Sequence, residues 1–122
     1  MSKIVNGRLV INKPARRNKF GAVRTTFDGL TFDSQKECIR YQELKLLVRI
    51  GEIKDLRHHE RFSIDIDGQH ICDYEADFTY LDTTTGKLVV EDVKSQATST
   101  LAVYRLKKRL MKVVLNIDIA EV

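Results

Sequence analysis

Two strand-like runs flank the turn at Thr83–Gly86, and their pairing strongly limits how the chain can fold. The first run, Ile71–Leu81, alternates aromatic or small residues with acidic ones, which is the two-residue period of a strand. The second run, Lys87–Lys94 (KLVVEDVK), starts as a buried strand and becomes charged at its end. If the two runs form an antiparallel hairpin, residues whose numbers add to about 169 oppose each other. This register places Asp77 opposite Asp92, with Cβ atoms about 5 Å apart.

The paired acidic residues predict a metal site at the end of this hairpin. Lys94 leaves the same face as Asp92 because it lies two positions further along the strand. Two adjacent carboxylates repel each other unless a cation neutralises them, and oxygen ligands suit Mg²⁺, for which Mn²⁺ should substitute. Such an ion activates water and neutralises charge on a scissile phosphate, while Lys94 orients the water or stabilises the phosphate. The residues therefore predict metal-assisted phosphodiester hydrolysis.

The rest of the chain has the pattern of an α/β domain. The predicted elements are a short strand at Arg8–Ile11, a hairpin of Ala22–Phe27 and Leu30–Phe32, a helix at Ser34–Ile50, a strand at Arg61–Ile66, a helix at Thr100–Leu115 and a last strand with Ile117 and Ile119. The order is α-β-β-β-α-β after an N-terminal β-hairpin, which predicts a mixed central sheet flanked by helices. The predicted buried stripes are Ile39, Leu44, Leu47, Val48 and Ile50 on the first helix, and Val103, Leu106, Leu110 and Val113 on the second.

Charge is distributed unevenly along the chain. Residues 1–27 contain seven basic and no acidic residues, residues 28–93 contain eight basic and fifteen acidic ones, and residues 94–122 contain six basic and two acidic ones. Basic flanks around an acidic centre suit an enzyme that holds phosphates and a cation. The residues expected to contact DNA are Arg16, Arg17, Lys19, Arg105, Lys108, Arg109 and Lys112. The competing interpretations are a flexible basic tail and an ordinary amphipathic helix.

Four segments carry a family resemblance that covers roughly Lys19 to Val122: FDGLTFDSQKECIRY, YEADFTY, VVEDVKS and IDIAEV. With these segments the chain resembles the PD-(D/E)XK nuclease superfamily. More narrowly, it resembles a family of small phage-borne nuclease-like proteins that are described as similar to Holliday-junction resolvases and transposon-end nucleases. The resemblance implies a restriction-endonuclease-like core over residues 19–122, preceded by a basic arm over residues 1–18. The sequence departs from the superfamily pattern at two positions. Ala76 stands where a proline is common, and Asp92 stands where glutamate is commoner.

The resemblance implies catalytic roles for Glu37, Asp77, Asp92 and Lys94, with the three carboxylates as metal ligands. Glu37 also has a structural interpretation, because Ser34 and Glu37 have the spacing of a helix capping box. Its carboxylate cannot fill both roles at once. The capping and metal-binding interpretations of Glu37 both stay open on the sequence.

These features predict a Mg²⁺-dependent DNA endonuclease that acts on branched or junction DNA, or that nicks duplex DNA. One active site per chain implies a homodimer where two strands are cut. We expect no membrane span, since no apolar run approaches about 20 residues. We also expect no nucleotide cofactor. Two cysteines without CxxC spacing indicate a cytoplasmic location, in a bacterial host if the gene is phage-borne. The alternative is a non-catalytic DNA-binding module that retains the nuclease fold, whose binding would not depend on Asp77 or Asp92.

Overall fold

In the computed structural model of the chain, the described residues are 2–5, 8–11, 24–95 and 100–122, with side chains described over 24–95 and 100–122. The chain divides into two compact units, Met1–Glu43 and Leu44–Val122, and the boundary falls within the first helix. The elements of the first unit are β1 (Ser2–Val5), β2 (Arg8–Ile11), β3 (Thr25–Phe27), β4 (Leu30–Phe32) and the start of α1 (Gln35–Arg49).

The first unit contains two antiparallel hairpins, β1–β2 and β3–β4. The short strand at Arg8–Ile11 is confirmed, and its partner β1 is a strand that the sequence did not indicate. The hairpin around Asp28-Gly29 is also confirmed. Both turn residues have positive φ (54° and 73°), as a two-residue turn that matches the strand twist requires. Residues 22 and 23 of the predicted hairpin lie outside the described residues.

The predicted start and stop of α1 are confirmed, but its predicted buried stripe is only partly correct, since Leu44 is buried and Leu47 and Val48 are half-buried. Ser34 Oγ accepts a hydrogen bond from the Glu37 N–H (3.1 Å), and Gly51 ends the helix with a φ of 83°. Ile39 and Ile50 are 57% and 69% exposed, although both were expected inside. Besides Leu44, the buried side chains of α1 are Glu37, Cys38 and Tyr41, which were not predicted. Residue type misled the prediction here, because a glutamate, a cysteine and a tyrosine fill most of the buried face.

The second unit contains the end of α1, a four-stranded mixed sheet, a separate hairpin and a further helix. Its elements are β5 (Ile53–His58), β6 (Arg61–Ile66), β7 (Gln69–Glu75), β8 (Phe78–Asp82), β9 (Leu88–Asp92), α2 (Ala102–Leu115) and β10 (Ile119–Glu121). The sheet order is β10-β9-β8-β5, and β6 and β7 form the separate hairpin. β10 runs parallel to β9 while the other neighbours are antiparallel. A parallel neighbour requires a long crossover, and α2 lies in that connection. The prediction of an α/β fold with a mixed sheet is confirmed.

The predicted register of the hairpin is confirmed. Phe78 pairs with Glu91 and Leu81 with Leu88, so the numbers of opposed residues add to 169 in both pairs. The turn itself fixes this register. The Asp82 carbonyl accepts a hydrogen bond from Gly86 N–H (2.7 Å), and the Asp82 carboxylate accepts one from Thr84 N–H (2.8 Å).

The predicted long strand Ile71–Leu81 is wrong, because it is two strands in two different sheets. The chain leaves the β6–β7 hairpin at Ala76 and joins β5 from Phe78 onward. Two backbone bonds hold this crossing: Ala76 N–H to Glu60 O (2.9 Å) and His59 N–H to Asp77 O (3.0 Å). The sequence also gave no sign of β5, whose run IKDLRH lacks alternation and contains Asp55 with a φ of 56°. The order α-β-β-β-α-β is therefore incomplete, since five strands lie between the two described helices.

The core of the second unit lies between α2 and the strands. Its buried residues are Ile64, Tyr74, Ala76, Val90, Tyr104, Met111 and Ile119. The predicted stripe on α2 is displaced by about a quarter turn, and of its four residues Leu110 packs against this core. Val103, Leu106 and Val113 are exposed and Leu110 is half-buried, while Tyr104 and Met111 face the core. On β6, Ile64 is buried, whereas Ile66, which alternation places on the same face, is 41% exposed near the end of its hairpin. Neither described helix combines the length and the apolar character that crossing a membrane requires.

Truncation of a side chain on the buried face of α2 should lower the free energy of unfolding, whereas truncation of a side chain on its exposed face should not. Met111 is fully buried, so we expect Met111→Ala to lower the free energy of unfolding by about 2–5 kcal/mol. Val113 is 75% exposed, so Val113→Ala should change it by less than about 0.5 kcal/mol. Urea unfolding followed by circular dichroism measures both. Equal losses in the two variants would contradict the assignment of the buried face.

Candidate active site

Asp77 and Asp92 come together where β8 begins and β9 ends. The last pair of the β8–β9 ladder is Phe78 with Glu91, so Asp77 and Asp92 are the next residues beyond it. The Asp77 side chain reaches across to β9, where its Oδ2 accepts a hydrogen bond from the Val93 N–H (2.7 Å). The sequence-predicted pairing of the two acidic residues therefore has a direct structural counterpart.

The backbone around Asp77 is fixed by the crossing between the two sheets. Its carbonyl accepts the bond from His59 N–H, and His59 has a left-handed backbone (φ 59°) that a non-glycine residue rarely adopts. This unusual turn directs the His59 N–H toward Asp77. The break in the predicted strand is thus the feature that places Asp77 at the end of β9.

Asp92 is a buried carboxylate with two partners of different kinds. The residue is only 2% exposed. Tyr74 donates a hydrogen bond to its Oδ2, and the ammonium of Lys94 lies 3.5 Å from its Oδ1. Burial, and then the charge of Asp92, raise the pKa of Tyr74 far above its ordinary value of 10, so the phenol stays a donor. A buried charge is stable only when it is paired and hydrogen-bonded in this way.

Lys94 lies between Asp92 and the ring of Tyr104. Its Nζ is 4.2 Å from the ring centroid, and its side chain is 21% exposed. Its backbone N–H donates to Val122 O (3.1 Å), which extends the parallel pairing of β9 and β10 by another step. The main chain and the side chain of Lys94 are therefore both held.

A second layer of contacts continues from Tyr104 to the surface of α2. The Tyr104 hydroxyl donates to Glu121 Oε2 (2.6 Å), and Lys108 Nζ lies 3.0 Å from the same oxygen. These two hydrogen bonds lower the pKa of Glu121. Burial, followed by the bond to Glu121, raises the pKa of Tyr104. Tyr104 and Glu121 thus stay in the protonation states that keep this bond.

The neighbouring acid Glu91 belongs to a different environment. Its carboxylate accepts a hydrogen bond from the Tyr80 hydroxyl, and the residue is 2% exposed. Successive residues of a strand point to opposite faces, so Glu91 lies on the other side of β9 from Asp92. Glu91 is therefore a useful internal comparison for Asp92, with similar burial and a similar tyrosine partner.

Outside α2, the remaining predicted site residues are Glu37 and three basic residues near the N-terminus. Glu37 is buried at the start of α1 in the first unit, and the capping and metal-binding roles expected of its carboxylate stay predictions. Arg16, Arg17 and Lys19 lie outside the described residues.

The basic residues of α2 divide into two pairs. Lys108 and Lys112 form ion pairs with Glu121 (3.0 Å) and Asp118 (2.9 Å). Arg105 and Arg109 are exposed, and no acidic side chain lies within ion-pair distance of either among the described residues. All four line a groove of about 450 Å³ between α2 and β10. The two arginines are thus the members of this set whose charge is not already neutralised by a neighbour.

Sequence reasoning missed Tyr74, Tyr104 and Glu121. Strict alternation placed Tyr74 on the face opposite Asp77, and only the break at Ala76 explains how both reach the neighbourhood of Asp92. One feature of the sequence could have indicated the tyrosines. A carboxylate in a strand as apolar as β9 needs a donor, and tyrosines are the residues of the apolar stripes that can supply one.

The donor set fits a small divalent cation. Asp77 and Asp92 offer hard carboxylate oxygens, which Mg²⁺ prefers. Each carboxylate also has one oxygen held by a fixed donor, the Val93 N–H or the Tyr74 hydroxyl. Outer partners of this kind commonly orient metal-ligating carboxylates.

Removal of the Tyr74 hydroxyl should destabilise the protein. Tyr74→Phe leaves the buried Asp92 carboxylate without its donor, so we expect the free energy of unfolding to fall by about 1–3 kcal/mol. Tyr41→Phe is the matched control. The Tyr41 hydroxyl is 3.5 Å from the exposed Asp28, whose carboxylate water can solvate, so its loss should cost less than about 0.5 kcal/mol. Chemical denaturation measures the two losses, and a neutral Tyr74→Phe would show that Asp92 does not need this donor.

Comparison with known proteins gives one match. A family model described as "Protein of unknown function (DUF1064)" matches residues 17–117. No curated protein and no solved structure matches the chain. Since the matched residues make up most of the sequence, the chain belongs to the DUF1064 family.

Proposed function

We propose that this protein is a divalent-metal-dependent endodeoxyribonuclease with the restriction-endonuclease-like core of the PD-(D/E)XK superfamily. The observation that carries the proposal is the meeting of Asp77, Asp92 and Lys94 at the adjoining ends of β8 and β9. These are three of the four residues to which the resemblance assigns catalytic roles, the fourth being Glu37. The mixed sheet, with α2 leading to a parallel β10, is compatible with such a core.

Each residue of the cluster has a role in this mechanism. Asp77 and Asp92 hold the cation, and the Val93 N–H and the Tyr74 hydroxyl orient their carboxylates. Mg²⁺, when bound, supplies Lewis acidity and a water of lowered pKa. Lys94 places a positive charge beside Asp92, where it orients the attacking water or stabilises charge on the phosphate.

The proposed substrate is DNA, branched or nicked, in the cytoplasm of a cell. Arg105 and Arg109 support a polyanionic substrate because their charges are exposed. One active site per chain cuts one strand, so cutting two strands of a junction needs a homodimer, whereas nicking does not.

A non-catalytic DNA-binding module is the second candidate, and one observation favours it. Tyr74 and Lys94 already satisfy the Asp92 carboxylate, and no buried side-chain polar atom of the described residues lacks a partner. The cluster is therefore stable without a metal. Under this alternative the protein binds DNA with or without Asp77 and Asp92, and cuts none.

Neutralisation of Asp92 should abolish cleavage without abolishing binding. We expect Asp92→Asn to lower the cleavage rate by about 10³-fold or more, since it removes a charged ligand, while DNA affinity stays within about threefold. The measurement is cleavage of labelled four-way junction, nicked and linear duplex DNA, with Mg²⁺ or EDTA, beside anisotropy of the same DNAs. Glu91→Gln is the matched control, because it neutralises a buried, tyrosine-bonded acid on the other face of β9 and should retain cleavage. DNA binding by the wild type with no cutting in Mg²⁺ or Mn²⁺ would establish the non-catalytic module instead.

The two basic pairs of α2 should differ in their effect on DNA binding. Arg105→Gln with Arg109→Gln should weaken DNA binding about tenfold. The slope of the logarithm of the binding constant against the logarithm of salt concentration should fall by the amount expected for about two lost phosphate contacts. Lys108→Gln with Lys112→Gln removes the same charge, but its effect should be within about threefold because both lysines already pair with acids. Anisotropy titrations across a salt series distinguish the two. Equal losses would mean that net charge alone governs binding.

A further inference from the structure

The Lys94 ammonium lies beside an aromatic ring as well as beside Asp92. Most of the lysine side chain is buried, and its ammonium lies 3.5 Å from Asp92 Oδ1 and 4.2 Å from the Tyr104 ring centroid. A four-carbon side chain has many rotamers, and the ion pair with Asp92 at 3.5 Å does not by itself select one of them. A ring face within about 6 Å attracts an ammonium and limits the directions it can take.

The Tyr104 ring is itself held in place. It projects from α2 into the core, where the residue is 9% exposed, and its hydroxyl donates to Glu121 on β10. β10 pairs with β9, the strand that carries Asp92, and the Lys94 N–H bonds to Val122. Three sets of hydrogen bonds therefore connect the ring and the lysine to β9 and β10: the Tyr104–Glu121 bond, the β9–β10 pairing and the Lys94–Val122 bond.

We propose that Tyr104 is a positioning residue of the active site, whose ring holds the Lys94 ammonium beside Asp92 and whose hydroxyl is fixed by Glu121. The inference rests on the proposed nuclease function, in which Lys94 acts on the scissile phosphate or the attacking water. Tyr104 touches neither of these. It acts through Lys94. Because the ring already restricts the rotamers of the lysine, less conformational entropy is lost when the transition state forms.

This role differs from that of an ordinary core tyrosine. A purely structural Tyr104 would affect folding but not the relation between Lys94 and the metal ligands. A positioning Tyr104 affects the chemical step while binding of metal and DNA stays the same. The ring should matter more than the hydroxyl, since the ring contacts Lys94 directly and the hydroxyl only fixes the ring.

The test compares Tyr104→Leu with Tyr104→Phe in cleavage of nicked and junction DNA. We expect Tyr104→Leu to lower kcat about tenfold, with the KM for DNA and the Mn²⁺ affinity within about threefold of wild type. Tyr104→Phe keeps the ring and should retain at least about a third of wild-type kcat. Tyr80→Leu is the control for general destabilisation, because Tyr80 is a similarly buried tyrosine that bonds to Glu91 on the other face of β9. Its kcat, measured well below its unfolding temperature, should stay near wild type.

A second measurement does not depend on activity. The ring current of Tyr104 should shift the ε-methylene protons of Lys94 upfield of those of the exposed Lys87 in metal-free protein. Tyr104→Phe should retain this shift and Tyr104→Leu should lose it. Unshifted Lys94 protons in the wild type, or a Tyr104→Leu enzyme with unchanged kcat, would overturn the inference. If the wild type cleaves no DNA, the proposed function fails, and the proton shift still decides whether Tyr104 holds Lys94.

Discussion

Burial of the Asp92 carboxylate imposes most of the requirements that its surroundings meet. An isolated charge at 2% exposure is costly, so it needs a donor and a counter-charge within reach. Tyr74 supplies the donor from the β6–β7 hairpin, and Lys94 supplies the charge from the end of β9. Tyr104 then covers the lysine from α2. The hairpin, the central sheet and the second helix thus meet around one carboxylate.

The central hairpin was predictable because local sequence determines it. The turn at Thr83–Gly86 and the apolar run of β9 fix a register that needs no information from the rest of the chain, and this register places Asp77 and Asp92 together. The Ser34 cap and the Gly51 stop of α1 were predictable for the same reason. Signals that act over a few residues can be read from a single sequence.

What the sequence did not indicate depends on distant contacts. The break between β7 and β8 arises where Ala76 and Asp77 bond to Glu60 and His59, and alternation in Ile71–Leu81 continues through it unchanged. The strand β5 exists because it pairs with β8, not because of its own pattern. On α2 the helical period was correct, but Tyr104 rather than Val103 faces the core, which only the packed strands decide. Tyr74, Tyr104 and Glu121 were missed for this reason.

In the proposed mechanism, the contacts that stabilise the cluster would also orient it for metal binding and hydrolysis. Tyr74 holds one oxygen of Asp92 and Val93 holds one oxygen of Asp77, so both carboxylates have fixed directions before any cation binds. Fixed ligands lower the ordering cost of metal binding, and a fixed lysine lowers the ordering cost of the chemical step. Because Lys94 already balances the charge of Asp92, the fold does not need the metal for its stability. If the proposed function holds, substitutions that alter the charge at Asp77 and keep Tyr74 and Lys94 in place should therefore affect catalysis more than stability.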